Sequence, residues 1–293
     1  MSELTAVTEQ SAYYQHSKSV PLASRLSFRV RQEMFRRFMA AFAPTANMAV
    51  LDVGVTSDTQ QQESNYFEQL YPFPERITAV GTEDGSHLTR QYPGLRYQRV
   101  EPGRPLPFET NQFDIVFSNA VLEHTGSRVS QRAFLQEVCR VGKRFFVTTP
   151  NRWFPIEHHT GLPLLHYLPA HAYRAILGKT SYRYWADEAH LNFLTRGALR
   201  QMLPLGAKGQ VETVRLFGVP SNLIAFGECE RVGRAANGVD LVRQSGRVAS
   251  PTSVRSRIIG RLSRRPMISV TPARRSSNGV RHYARLECSR HRE

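Results

Sequence analysis

The stretch Met48-Ala49-Val50-Leu51-Asp52-Val53-Gly54-Val55-Thr56-Ser57-Asp58 decides the fold: an apolar run, an acid, a glycine, then small polar residues. Such a run reads as a buried strand ending in a turn. A glycine at the first strand-to-helix turn lets the backbone approach a ligand closely. Four more short apolar runs follow, Ile77 to Gly81, Leu95 to Val100, Phe113 to Phe117 and Arg144 to Thr148, rich in β-branched and aromatic residues as buried parallel strands are. Helical patterns separate them at Ser64 to Leu70, Ser86 to Tyr92 and Arg128 to Val141, the last with Val129, Ala133, Phe134, Val138 and Val141 at helical spacing. This alternation predicts a doubly wound, mostly parallel α/β sheet with right-handed crossovers and helices on both faces.

Upstream, Leu22, Leu26, Val30, Met34, Phe38 and Phe42 recur every four residues from Pro21 onward, which predicts an amphipathic helix packed on the sheet. Residues 1–20 show no period and read as a flexible N-terminus. Downstream of Pro150, a Pro-, His- and aromatic-rich segment at 151–194 reads as an insertion on the substrate side. A helix is expected at Thr195 to Leu203. Strands at Gln210 to Phe217 and Asn222 to Gly227, joined by Gly218-Val219-Pro220-Ser221, predict an antiparallel hairpin closing one edge. The expected organisation is a flexible 1–20, a helix within 21–46, a catalytic domain over 47–230 and a tail over 231–293.

Composition narrows the function. The chain of 293 residues carries a net charge of +15, but residues 231–293 hold fifteen Arg, no Lys and three acids, which is +12 of that total. The body is close to neutral, so a strongly basic globular surface is excluded. Of the aromatic residues only Tyr283 lies in the tail, which therefore reads as disordered. Nucleic-acid binding is not favoured, since single-strand sites want aromatic stacking platforms as well as arginines. Cys139, Cys229 and Cys288 are far apart, so neither a disulfide framework nor a zinc ribbon is indicated and a reducing, cytoplasmic setting fits. No apolar run reaches membrane-spanning length.

The motifs at the strand ends carry the chemistry. Neither G-x-G-x-x-G nor a P-loop is present, which favours a ligand without phosphates. Glu83, in Ala79-Val80-Gly81-Thr82-Glu83-Asp84, stands after strand two, where a carboxylate can accept hydrogen bonds from ribose hydroxyls, or else cap a helix. Asn119 and His124, in Phe113-Asp114-Ile115-Val116-Phe117-Ser118-Asn119-Ala120-Val121-Leu122-Glu123-His124, follow strand four at the same edge.

In this order, VLDVGVTSD, AVGTED, LPF and FDIVFSNAVLEH resemble the successive motifs of class I S-adenosylmethionine-dependent methyltransferases, specifically the methyltransferase type 11 group. The resemblance covers roughly residues 47–150 and implies a seven-stranded Rossmann-like methyltransferase fold with an antiparallel C-terminal hairpin. It implies that Asp52 and Gly54 bind the amino-acid end of S-adenosyl-L-methionine, Glu83 its ribose, the segment around Glu101 its adenine, and that Asn119 borders the sulfonium. The family's D-x-G-x-G-x-G is not kept in full: Thr56 and Ser57 follow Val55, and their hydroxyls offer a substitute for binding the cofactor's carboxylate.

The insertion opens with Asn151-Arg152-Trp153-Phe154-Pro155-Ile156-Glu157-His158-His159-Thr160. Histidine supplies a base near neutrality, so His159 is the candidate base with Glu157 orienting it; the competing reading is that these histidines are structural. His124 is expected to brace its turn or border the cofactor rather than act as the base. No metal is expected, because His158, His159 and His166 lack a companion cysteine or an H-E-x-x-H helix. The function that follows is methyl transfer to a small polar acceptor such as a sugar or metabolite hydroxyl. The alternatives are a nucleic-acid methyltransferase using the tail, or a non-catalytic cofactor-binding module.

Overall fold

The computed structural model describes residues 21–230 apart from Gln60 and Gln62; the expectations for 1–20 and 231–293 lie outside the described residues. Helix α1 (Pro21–Phe42) is followed by strand β1 (Val50–Val53), helix α2 (Tyr66–Leu70), β2 (Ile77–Gly81), α3 (His87–Gln91), β3 (Arg96–Arg99) and β4 (Ile115–Asn119). Then come α4 (Arg128–Val141), β5 (Arg144–Pro150), α5 (Ala170–Leu177), α6 (Arg196–Met202), β6 (Lys208–Leu216) and β7 (Val219–Glu228). The seven strands are ordered β3-β2-β1-β4-β5-β7-β6. The first five are parallel, and β7 runs antiparallel to both β5 and β6.

The strand order reverses between β1 and β4, which leaves a crevice beyond their carboxyl ends, the usual ligand position in open α/β sheets. One face of the sheet is covered by α1 and α2. Val30, Met34, Phe38 and Phe42 of α1 are buried there, as their four-residue spacing predicts. Phe38 is fully buried, its ring 5.1 Å from Phe67, 5.6 Å from Phe117 and 5.5 Å from Phe146, so α1 is part of the core. On the other face α4 and α6 bury Leu135, Val138, Val141, Leu199 and Met202 against Leu51, Val116 and Val147. The α4 start is fixed by Ser127, whose Oγ accepts the Ser130 N–H at 3.2 Å.

Several elements differ from the sequence expectation. β3 is mostly exposed because it is the edge strand, so Arg96, Gln98 and Arg99 face water. α2 begins only at Tyr66, since Asn65 adopts left-handed backbone (φ 51). The hairpin turn is the two residues Phe217 and Gly218, both with positive φ, tighter than the Gly218–Ser221 turn read from composition. β7 lies between β5 and β6, so β6 forms the edge.

The segment between β5 and α6 packs a small core of its own from Tyr173, Leu177, Trp185, Leu191 and Phe193. It is tied to the turn after β4 by the buried Gln131, whose Nε2 donates to the carbonyls of Leu122 (3.2 Å) and Asn192 (2.8 Å). α5 lies inside this segment, after Pro169. No helix among the described residues is long and apolar enough to cross a membrane.

Candidate active site

The carboxyl ends of β1, β2 and β4 bring Gly54, Glu83 and Asn119 to one edge. Gly54 is exposed, with φ 107, and a Cβ there would lie 2.1 Å from Val121 Cγ2. Only glycine suits this position, both for its backbone and for the approach of the β4 turn. Glu83 is half-buried. Its Oε2 accepts the Ser57 N–H at 3.2 Å and also the Ser57 hydroxyl, so Ser57 fixes the carboxylate at the end of β2. Thr56 is held by Asn65, whose Oδ1 accepts the Thr56 N–H (3.0 Å) and whose Nδ2 donates to the Thr56 carbonyl (2.9 Å). Asn119 Oδ1 accepts from Thr148 Oγ1 at 2.7 Å. Beside it Ala120 holds left-handed backbone (φ 54), a costly conformation for a residue with a Cβ.

Two sequence-predicted residues stand apart from this edge. Asp52 is buried on the α1/α2 face, close to the buried carboxyl of Glu68. Burial, reinforced by the Glu68 charge, raises Asp52 well above the usual carboxylate range, and burial raises Glu68 too, so the pair retains a proton. Glu101 is turned to solvent and pairs with Arg104 at 3.7 Å. Its carboxylate joins none of the other candidates.

The insertion builds the second half of the site. Residues 156–163 form a tight loop: the Glu157 N–H donates to Leu162 (3.0 Å), the Gly161 N–H donates back to Glu157 (2.8 Å), and Gly161 turns the chain at φ 70. The buried Glu157 carboxylate caps this loop. It accepts the N–H groups of His159 (2.9 Å) and Thr160 (2.7 Å), the Thr160 hydroxyl (2.7 Å) and His159 Nδ1 (2.7 Å). Burial alone would raise this carboxyl; His159 and the hydrogen bonds overcome it and hold it down to about 2. Burial works against charge on His159 as well, but the Glu157 carboxylate wins and keeps the imidazole above its ordinary value. The predicted Glu157–His159 pair is thus assembled.

Its far nitrogen does not face open space. His159 Nε2 lies 3.1 Å from His124 Nε2, and His124 Nδ1 lies 2.6 Å from the His190 carbonyl. A carbonyl only accepts, so His124 carries its proton on Nδ1 and presents a lone pair at Nε2. His159 then donates on both sides, to Glu157 and to His124. Burial and the charge of His159 push His124 down to about 3. The Trp185 ring flanks both imidazoles, 4.6 Å from His159 and 5.9 Å from His124. Glu123, buried beside them, accepts from Thr149 Oγ1 (2.9 Å) through one oxygen only.

His124 therefore braces its turn as expected, and it also completes a line Glu157–His159–His124 that no sequence spacing shows. His158 is exposed and stacks on Phe154, and His166 bonds the Phe154 carbonyl at 2.8 Å; neither reaches the line. Tyr184 stacks on His190 at 3.9 Å, which makes that aromatic pair a support for the carbonyl that His124 uses.

The two halves meet at neighbouring residues of β5, because Thr148 bonds Asn119 and Thr149 bonds Glu123. An exposed glycine backbone, a carboxylate held by Ser57 and a polar amide stand together at this edge, groups that can meet the amino-acid end, the hydroxyls and the sulfonium of a nucleoside donor. S-adenosyl-L-methionine fits these residues.

Comparison with known proteins agrees. Residues 52–144, from β1 to the start of β5, match the model of a family described as a methyltransferase domain. No curated protein matches the sequence. Among solved structures, an S-adenosylmethionine-dependent methyltransferase from Mesorhizobium loti is similar at 14% identity, covering 67% of this chain and 97% of its own, with a TM-score of 0.47. A SAM-dependent methyltransferase from Thermotoga maritima, described as a possible histamine N-methyltransferase, is similar at 13% identity over 71% of this chain and 92% of its own, with a TM-score of 0.47. A protein from Pyrococcus horikoshii is similar at 13% identity over 75% of this chain and 96% of its own, with a TM-score of 0.46. The match to a methyltransferase domain thus spans the motif-bearing strands β1 to β4 of the seven-stranded β3-β2-β1-β4-β5-β7-β6 sheet.

Proposed function

We propose that the chain methylates a hydroxyl of a small polar acceptor, held between the Asn119 edge and the insertion. The observation that carries this is the line Glu157–His159–His124, which ends within the same β4–β5 edge as Asn119. The bound cofactor supplies an electrophilic methyl on a good leaving group. The protein's share is alignment, exclusion of water and handling of the acceptor's proton.

Gly54 gives the cofactor room against the backbone, Glu83 addresses its ribose, and Asn119 marks the edge nearest the sulfonium. Thr56 shapes the turn through its bonds to Asn65, while Asp52 supports it from beneath the sheet. Glu157 fixes the ring of His159 so that Nε2 points along one line; once the ring has released its Nε2 proton to solvent, this Nε2 is the atom that takes the acceptor's proton when the hydroxyl replaces His124 against it. Trp185 and the core of residues 173–193 keep water from the ring. Residues 47–230 act as the catalytic domain in this scheme, with 151–194 reading the acceptor.

The test is transfer of labelled methyl from S-adenosylmethionine by the full chain to a panel of sugars, small hydroxylated metabolites, amines and single-stranded RNA. Label is expected on a hydroxyl compound, with His159→Gln lowering kcat while S-adenosylhomocysteine still binds. Label on amines or RNA alone would overturn the acceptor assignment.

A further inference from the structure

The line just described leaves one group unexplained. Glu123 is 1% exposed, yet its Oε1 has no hydrogen-bond partner among the described residues. A buried carboxylate oxygen without a donor is costly, and such an atom calls for an occupant. It lies 3.9 Å from His124 Nε2, and the two imidazole Nε2 atoms are 3.1 Å apart. All three atoms fall within 4.8 Å of one another. We propose that Glu123 Oε1, His124 Nε2 and His159 Nε2 are the ligands of a divalent transition-metal ion, with zinc as the ion that suits them best.

The geometry supports this from two directions. Zinc is bound at about 2.0–2.2 Å by imidazole nitrogen and carboxylate oxygen, so two ligand atoms on one ion stand about 3–4 Å apart. The two nitrogens already meet that spacing, and rotation of the Glu123 carboxylate brings in the third atom. The outer shell is also built. Metal-binding histidines donate their other ring N–H to a carboxylate or backbone carbonyl. Here His159 Nδ1 meets Glu157 (2.7 Å), His124 Nδ1 meets the His190 carbonyl (2.6 Å), and Glu123 Oε2 is held by Thr149 (2.9 Å). Two imidazoles and one carboxylate favour zinc or a neighbouring transition metal over magnesium, which takes oxygen ligands.

Three protein ligands leave a position for an exchangeable oxygen. Its use rests on the methyltransferase reading above: the ion would displace the proton that His159 Nε2 now shares with His124, the acceptor hydroxyl would fill the open position and release its proton to solvent, and with the ion bound this activation would replace proton transfer to His159 Nε2. Metal binding itself does not depend on that reading.

The experiment uses the untagged full chain, stripped with chelator and titrated separately with Co2+ and Zn2+. One equivalent is expected, with visible d–d absorption for cobalt, and with zinc X-ray absorption showing two imidazole nitrogens in the first shell. Affinity should fall at least about tenfold in Glu123→Gln, His124→Ala and His159→Ala, and about 10–100-fold in Glu157→Gln, an outer-shell change. His158→Ala should bind as the wild type does. No stoichiometric ion, a first shell without two imidazoles, or an equivalent retained in the ligand variants would overturn the site. The X-ray absorption result needs only wild-type protein, so it decides the matter if a variant fails to fold. S-adenosylhomocysteine titrated into the same metal-free preparation reports separately on the methyltransferase reading.

Discussion

His124 and His159, 35 positions apart in the chain, meet Nε2 to Nε2 at 3.1 Å, and each ring is pinned from behind by a different kind of acceptor. The contact joins the turn after β4, which belongs to the sheet, to the loop that opens the insertion. It makes the two halves of the site one unit.

The buried Glu157–His159 pair should be structural as well as functional. Removing one partner of a buried ion pair typically costs about 3–5 kcal/mol, because the other charge is left without compensation. Glu157→Gln is therefore expected to lower the unfolding midpoint by about 6 °C or more in a domain of this size. The double variant Glu157→Gln/His159→Gln should lose less than the sum of the single changes. Additive losses in a thermal-unfolding cycle would show that the two side chains do not act as a pair.

Gly54→Ala places a Cβ in left-handed backbone and 2.1 Å from Val121 Cγ2. A cost of about 1–3 kcal/mol follows from the backbone alone. Adding Val121→Ala should recover part of the lost stability and not all of it. A wild-type midpoint for Gly54→Ala would contradict the conformation described.

Asp52 and Glu68 are both raised by burial, so their contribution to pH dependence has a definite sign. A carboxyl whose folded pKa lies above its unfolded value favours the folded state below the unfolded value. That advantage is lost as pH rises through the folded value. Glu68→Gln removes one of the two, and so it should raise the unfolding midpoint near pH 8 by roughly 2–4 °C, with little gain near pH 4. A lower midpoint at pH 8 would mean that the ionised pair is stabilising.

The motif resemblance gives Glu83 to the cofactor's ribose and the segment around Glu101 to its adenine, and the structure places the two carboxylates differently. Glu83 is half-buried and fixed by Ser57, whereas Glu101 sits on the surface against Arg104. Glu83→Ala should weaken S-adenosylhomocysteine binding about tenfold or more, the usual loss of a charged hydrogen-bond partner. Glu101→Ala should change it by less than about twofold. Equal effects by calorimetry would place the adenosine elsewhere.

The sheet was legible because β1, β2, β4 and β5 are short apolar runs bounded by turns, and because α1 shows a four-residue stripe that the core absorbs. Edge strand β3 was read as buried, since the run from Leu95 to Val100 does not reveal that only one neighbour pairs with it. Helix α5 was hidden inside aromatic and histidine-rich chain, although Pro169 followed by Tyr173 and Leu177 at four-residue spacing was a usable signal. The Glu157–His159 contact is local and follows from a tight loop. The His124–His159 contact and the burial of Glu123 depend on where the insertion folds back on the sheet, which no spacing within either segment encodes. The motif resemblance gives Asp52 to the cofactor's amino-acid end, whereas strand alternation, which the motif does not register, turns its side chain to the α1/α2 face beside Glu68.

A methyl-donor site at the β1–β2–β4 edge is open to calorimetric titration of S-adenosylhomocysteine into the full chain, with NADH as control. Saturable one-to-one binding is expected, which S-adenosylmethionine displaces, NADH does not match and Glu83→Ala weakens. A folded protein that binds neither sulfur compound, or that binds both equally well after Glu83→Ala, would contradict it.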